Sequence, residues 1–468
     1  MASISFGFAE DGTNAKTLLA GAAKSNITPM LDVSLAGWMT DRTASHIHDD
    51  LYARCLVLNN GEAEIAIAIC DLLAIGREQA DEAKRLIQKH TGILPERILI
   101  AATHTHTGPT TAHVFQSEPD KEYIRWCAQR IADGVRRAKN NLRPARIAWG
   151  AGNEESLVFN RRYFMKPGTM PENPWGRNDD LVKMNPGYDN PNVEKPAGPV
   201  DPQLCVIAIQ DLEGYPIAVL GNYALHYVGS ENGNEVSADY FGMWDDLVER
   251  ELAPVKNSEK PPCIAILTNG TSGDINNIDI HKRVKPSYPY DQMNQVARIA
   301  AAKALKVMEN MEYRDWVPLD IKEKWLETGV RKPSADEIEE AKNILQQAGS
   351  EIKTLRQIYA RESVLMADWP EKVEIPVQAL RIGDAGIATL PGEVFVELGL
   401  EVKKKSPFLL TFCIELANAY DGYIPTAAAH QQGGYETWRA RSSFLAPDAG
   451  AKIVAAALDM LEQIHGDK

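Results

Sequence analysis

Two periodicities of apolar residues alternate along most of the chain. Runs that are apolar throughout, or at every second position, predict strands at 51–58, 64–71, 97–100, 204–210, 217–222, 263–268, 373–382, 386–390 and 409–413. Extended backbone is also predicted at 146–152 and just before Asn160. The turn around Asn59-Asn60-Gly61 pairs the first two strands. Apolar residues at helical spacing predict helices at 78–90, 121–140, 291–311, 334–347 and 449–465. Ser334, with Glu337 three positions on, is the sequence of a helix N-cap. That helical pattern continues, broken at Gly349, to about 365, so residues 333–367 read as an inserted helical arm. Residues 164–202 stand apart. They are rich in Pro, Gly, Asn and Asp and almost without periodicity, which is the pattern of a long loop walling a pocket. The predicted fold class is α/β, with mixed sheets flanked by helices in a single large catalytic domain over 15–468.

Composition narrows the picture. A length of 468 residues alone would allow about three domains, yet no shift in composition divides the chain at the strands that follow 202. A net charge of −14 argues against a general nucleic-acid or anionic-membrane binder, because those partners need basic patches. Six scattered cysteines with no CxxC pair offer neither a thiolate metal site nor a disulfide framework. No window reaches the roughly 18 continuous apolar residues of a transmembrane helix. Residues 1–14 show no basic segment followed by a long apolar one, so no signal peptide is visible. The expectation is a soluble protein, cytoplasmic or exported with its leader already removed.

The most informative stretch follows the strand at 97–100: Ala101-Ala102-Thr103-His104-Thr105-His106-Thr107-Gly108-Pro109. Histidines at i and i+2 on extended backbone point to the same side, so both imidazoles are expected to face one pocket at a strand end. Imidazole is the commonest protein ligand for zinc and the commonest general acid or base. Three other places repeat the grammar of an apolar strand ending in a short polar motif. They are Asn222-Tyr223-Ala224-Leu225-His226, the stretch from Asn269 to Asn277, and Leu390-Pro391-Gly392-Glu393. In α/β proteins ligands and catalytic groups gather at strand ends. Two imidazoles and a carboxylate are the ligand set of a catalytic zinc that keeps an open position. Histidines at strand ends are more often packed than ligating, and only the fold can bring His104 and His226 together.

These motifs resemble those of the neutral/alkaline non-lysosomal ceramidase family. His104-Thr105-His106-Thr107-Gly108-Pro109 resembles its His-Thr-His-(Ser/Thr)-Gly-Pro motif, and Asn222 to His226 resembles its Asn-(Phe/Tyr)-Ala-x-His motif. Pro391-Gly392-Glu393 is similar to its Pro-Gly-Glu motif, and Gly422-Tyr423-Ile424-Pro425-Thr426 to its Gly-Tyr-(Val/Ile)-x-Thr motif. Asn160-Arg161 and Tyr435-Glu436 match an Asn-Arg and a Tyr-Glu pair, and all of the matches keep the family's order. The resemblance implies the family's catalytic fold and a zinc ion held by His104, His226, Glu393 and Tyr423. It implies His106 as the catalytic partner and Arg161 as a group that reaches the substrate. Asp71, Asp239 and Asp274 are candidate supporting carboxylates.

Two departures qualify what the resemblance implies. The family's serine motif, Gly-Asp-Val-Ser-Pro-Asn, is here Gly273-Asp274-Ile275-Asn276-Asn277-Ile278. Asn276 stands in the serine's place, and an amide is no nucleophile. It reads as a substrate-binding amide or as a loop-holding Asx residue. The sequence also stops where the family continues into a C-terminal immunoglobulin-like domain, so none is expected. The leading expectation is a zinc-dependent hydrolase of an amide bond in a substrate more polar than ceramide. The polar stretch 164–202, with Trp175 available for stacking, supports the polarity. A zinc-dependent lyase or glycosidase acting on a glycan-type substrate, and a metal-stabilised binding protein, are the alternatives.

Overall fold

The computed structural model describes residues 16–229, 232–253, 259–283 and 287–466. Its frame is two mixed sheets packed face to face, with helices on both outer faces. The first sheet has eight strands in the spatial order Ile264–Asn269, Pro216–Tyr223, Gln203–Asp211, Arg143–Asn153, Leu19–Asn26, Tyr52–Asn59, Glu64–Cys70 and Ile98–Ala102. Its interior is antiparallel, but each edge ends in a parallel pair: Pro216–Tyr223 with Ile264–Asn269, and Glu64–Cys70 with Ile98–Ala102. The second sheet orders Leu319–Gly329, Lys372–Ile382, Ala385–Thr389 and Leu410–Ile414, the last two parallel.

The inner faces share one apolar core. Leu99, Ile207 and Ile266 from the first sheet meet Leu380, Ile387 and Phe412 from the second. Arg77–Thr91 and Lys121–Asn140 cover one half of the first sheet's outer face, and Asp239–Glu251 and Asp291–Met308 the other half. Val396–Lys405 and Ala449–Gly466 cover the outer face of the second. Burial on both faces explains why so many strands read as continuous apolar runs and not as alternations. The predicted α/β class with mixed sheets and flanking helices is therefore observed. No immunoglobulin-like sandwich is found among the described residues, and no helix among them is long and apolar enough to cross a membrane.

Several expectations shift. The helix at Lys121–Asn140 has the predicted bounds, and its start is capped by Asp120 accepting from Glu122 N and Tyr123 N. The helix predicted over 291–311 ends at Met308. The arm consists of two helices, Ala335–Ala348 and Leu355–Leu365, each opened by a capping box at Ser334 and Thr354. The stretch 164–202 is not structureless. It contributes to a three-stranded sheet, Arg162–Met165 with Val182–Met184 and Val193–Pro196, too short for a periodicity to show. Some elements went unpredicted, among them Leu19–Asn26, Val396–Lys405, Asp239–Glu251 and Leu319–Gly329. Asp239–Glu251 buries Tyr240, Phe241 and Trp244 on consecutive turns beside a glycine, a run that reads as neither period. Leu319–Gly329 is partly exposed and highly charged.

Candidate functional site

The site forms where the parallel edge pairs of the first sheet meet the end of the second. The strand Ile98–Ala102 stops two residues before His104, so the extended backbone expected across both histidines is absent. His104 has φ 83, in the left-handed region that a residue with a Cβ adopts only under constraint. The constraint is visible. His104 N donates to Leu72 O at 2.9 Å, and the hydroxyls of Thr105 and Thr107 donate to Ser237 O at 2.6 and 3.1 Å. The two imidazoles converge all the same, their Nε2 atoms 3.2 Å apart. Convergence comes from this anchored turn, not from the strand period.

His226 follows the strand Pro216–Tyr223 and brings its Nε2 to 3.0 Å from that of His104. Glu393 lies in a two-residue parallel pairing with Tyr423–Ile424, which fixes both motifs of the second half against one another. Its Oε2 is 3.3 Å from His104 Nε2 and 3.7 Å from His226 Nε2. Its Oε1 accepts from the Tyr420 hydroxyl at 2.9 Å. Arg161 joins the cluster from a third direction. Its Nη1 lies 3.1 Å from His226 Nε2, its Nη2 donates to the Tyr423 hydroxyl at 3.0 Å, and its Nε donates to Glu436 Oε1 at 2.8 Å. Thus His104, His106, His226, Glu393, Arg161 and Tyr423, predicted from distant motifs, are brought together and are all buried.

The chemistry of this cluster is set by what lies behind it. Each imidazole places Nδ1 against a backbone carbonyl: His104 on Leu73 at 2.9 Å, His226 on Ser272 at 3.0 Å, and His106 on Gly37 at 3.0 Å. A carbonyl only accepts, so in a neutral ring Nδ1 carries the hydrogen and Nε2 presents a lone pair. Burial, with His104 and Arg161 nearby, holds His106 and His226 well below the usual imidazole range, which favours their neutral forms. Burial alone would raise the Glu393 carboxyl. His104, the Tyr423 hydroxyl and Arg161 outweigh it and keep the group below its usual range. Glu393 Oε2 is buried without a hydrogen-bond partner. Three lone pairs and an orphaned carboxylate oxygen facing one another are a donor set for a cation. The ligand atoms of His104, His106 and His226 lie within 4.8 Å of one another and can hold a metal ion.

His106 forms the outer edge of the cluster. Its ring stacks on Tyr227, with centroids 3.6 Å apart. Tyr227 in turn lines a cleft of about 710 Å³ whose other walls include Trp38, Phe159, Tyr188 and Tyr288. Asn276 is placed differently from the rest. It pairs with Phe159 in a two-residue strand, its amide donates to Asn185 Oδ1 at 2.6 Å, and its Oδ1 accepts from Ile278 N at 3.0 Å. It has no hydrogen bond to the cluster, and both its polar atoms hold loops. Trp175 packs against Tyr359 of the helical arm, not against the cluster. Of the supporting carboxylates, Asp239 accepts from Val228 N and Gly229 N beside Tyr227, and Asp274 accepts from Asn160 Nδ2 and Val396 N. Asp71 pairs instead with Arg54 in the core. Sequence reasoning missed Tyr227 and Tyr420, although Tyr227 directly follows His226 and Tyr420 lies two residues before Gly422.

An α/β double-sheet fold with a buried, metal-capable cluster of histidines at its strand ends defines the class. Comparison with known proteins defines it further. The family model for the neutral/alkaline non-lysosomal ceramidase N-terminal region matches residues 18–281, more than half of the chain. The chain is 23% identical to the neutral ceramidase of Pseudomonas aeruginosa over 496 aligned positions, covering 89% of this chain and 69% of that protein. It is 23% identical to neutral ceramidase B of Dictyostelium discoideum over 52% of this chain and 33% of that protein. The crystal structure of the Pseudomonas aeruginosa enzyme superposes with a TM-score of 0.71 at 19% identity, over 96% of this chain and 74% of that one. A ceramidase structure complexed with C2 gives 0.72 at 18% identity, over 96% and 75%. The chain belongs to the neutral/alkaline non-lysosomal ceramidase family.

Proposed function

We propose that the protein is a zinc-dependent hydrolase of an amide bond in a substrate more polar than ceramide. The observation that carries the metal is the buried meeting of three imidazole Nε2 atoms with an orphaned carboxylate oxygen. His104, His226, Glu393 and Tyr423 would hold the ion, with His106 at the open edge. When bound, zinc supplies Lewis-acid polarisation of the substrate carbonyl and activation of water. The relatives' names as ceramidases support an amide as the bond cleaved. The relatives and structures described above are named as ceramidases, so a glycan-type substrate gains no support from them.

The chain's own groups have separable tasks. His106 is held as the Nδ1–H tautomer by Gly37 O, so its Nε2 is free to take a proton from the attacking water and return it to the leaving nitrogen. Arg161, fixed by Glu436, aims its guanidinium at the cluster, where it orients the substrate and stabilises charge growing on the carbonyl oxygen. The cleft beside His106 mixes aromatic faces with Asn277, Gln292, Gln295 and Lys282, a lining suited to a substrate with polar substituents.

The test is metal analysis of protein purified without chelators, followed by a screen of N-acyl substrates with His104→Ala as control. The expected result is about one zinc per chain and amine release that the variant lacks. Absence of metal in the wild-type protein would sink the zinc reading. Metal with no amine release from any N-acyl compound would sink the amidase reading alone.

A further inference from the structure

The cluster is assembled from two halves that belong to different sheets. His104 and His226 follow strands of the first sheet, and Glu393 and Tyr423 follow strands of the second. Several buried side chains tie the halves together, Arg161 and Asp274 among them, and Glu415 does so from behind the donors. Glu415 directly follows the strand Leu410–Ile414 and is fully buried. Its Oε1 accepts from Ser272 Oγ at 2.7 Å, and its Oε2 accepts from Val394 N at 2.7 Å. Ser272 is the residue whose carbonyl orients His226, at 3.0 Å from Nδ1. Val394 is the neighbour of Glu393 in the pairing that carries the carboxylate. The Glu415 backbone N–H also reaches across to Asn269 O of the first sheet at 3.1 Å.

We infer that Glu415, acting through Ser272 and Val394, is a positioning residue that sets the spacing between His226 and Glu393 and so the affinity of the metal site. The inference rests on the metal reading proposed above. Glu415 touches none of the facing lone pairs. A carboxylate placed for core stability alone has no reason to bridge the two segments that deliver donors from opposite sheets, and burying it costs desolvation that apolar packing would avoid. Groups behind a metal's ligands commonly change affinity by about 10–100-fold when removed.

Three variants test this against wild type by zinc titration of the metal-free protein, with circular dichroism of the metal-free forms as the check on folding. Glu415→Ala removes both contacts and is expected to weaken zinc binding by about 10–100-fold. Glu415→Gln keeps an acceptor for Val394 N and offers Ser272 Oγ a donor in place of an acceptor, so affinity should stay near wild type. Ser272→Ala breaks the contact to Glu415 and the longer one from Ser272 Oγ to His226 Nδ1 at 3.4 Å, leaves the carbonyl that orients His226, and should weaken binding less than Glu415→Ala. Wild-type affinity in Glu415→Ala overturns the inference. If that variant does not fold, wild-type affinity in Ser272→Ala overturns it. Equal losses in Glu415→Gln and Glu415→Ala overturn it too, because charge and not bridging would then be the cause. Wild-type protein that takes up no zinc refutes the metal reading itself, a result distinct from any of these.

Discussion

Each histidine of the cluster is defined by the atom behind it. The carbonyls of Leu73, Ser272 and Gly37 determine which nitrogen of each ring faces inward. If His106 moves protons while the others bind metal, His106→Ala should lower kcat/KM by about 10²–10⁴-fold. Zinc content should survive far better than in His104→Ala, and parallel metal analysis and kinetics separate the two effects. Gly37 allows a sharper test. It has φ +107, and a Cβ there would lie 2.5 Å from His106 Nδ1. Gly37→Ala must therefore displace the ring without altering any reacting group. A loss of up to about 100-fold in kcat is expected, with the zinc content of wild type. Unchanged kcat would remove His106 from the chemistry.

At the scale of elements, the helix Val396–Lys405 begins beside the cluster and has no cap of its own. The chain supplies one from a distance, since Asp274 Oδ1 accepts from Val396 N at 2.9 Å. Burial first, and the nearby Glu397 carboxyl second, raise Asp274 to about 7. Glu397 is raised too, chiefly by burial. The folded state therefore keeps protons that the unfolded chain releases once pH passes the ordinary carboxyl range. The sign follows: where the native state binds more protons, stability falls as pH rises. From Asp274 the fall should run from about pH 4 to about pH 7 and then level off, and Glu397 adds to it in the same direction. Denaturant unfolding across that range should show a shallower decline in Asp274→Asn than in wild type. An equal decline in both would assign it to other groups.

For the whole molecule, the site lies at a seam. Donors from two sheets meet in it, so an ion bound there would cross-link them in the folded state only. At metal concentrations about a hundredfold above Kd that linkage is worth about 2.7 kcal/mol. Chelation should lower Tm by a few degrees, and added zinc should restore it, as calorimetry can check. A Tm indifferent to chelator would mean that the fold does not depend on the cluster.

Sequence by itself determined a great deal here. Continuous apolar runs such as 64–71 and 217–222 marked strands buried on both faces, and Ser334 marked a helix start, because periodicity and capping are local physics. The order of the motifs, and their resemblance to those of the family, marked His104, His106, Arg161, His226, Glu393 and Tyr423. What sequence could not decide was geometry. No period predicts the left-handed turn at His104, which exists because Leu72 and Ser237 hold it from other segments. Nothing in the register of Gly273-Asp274-Ile275-Asn276 tells that Asn276 holds loops, or that Ser272, one residue before this motif, meets Glu415. Those facts arise only when two sheets pack and distant carbonyls, hydroxyls and carboxylates fall within hydrogen-bonding distance. Such contacts leave no periodic trace in the chain.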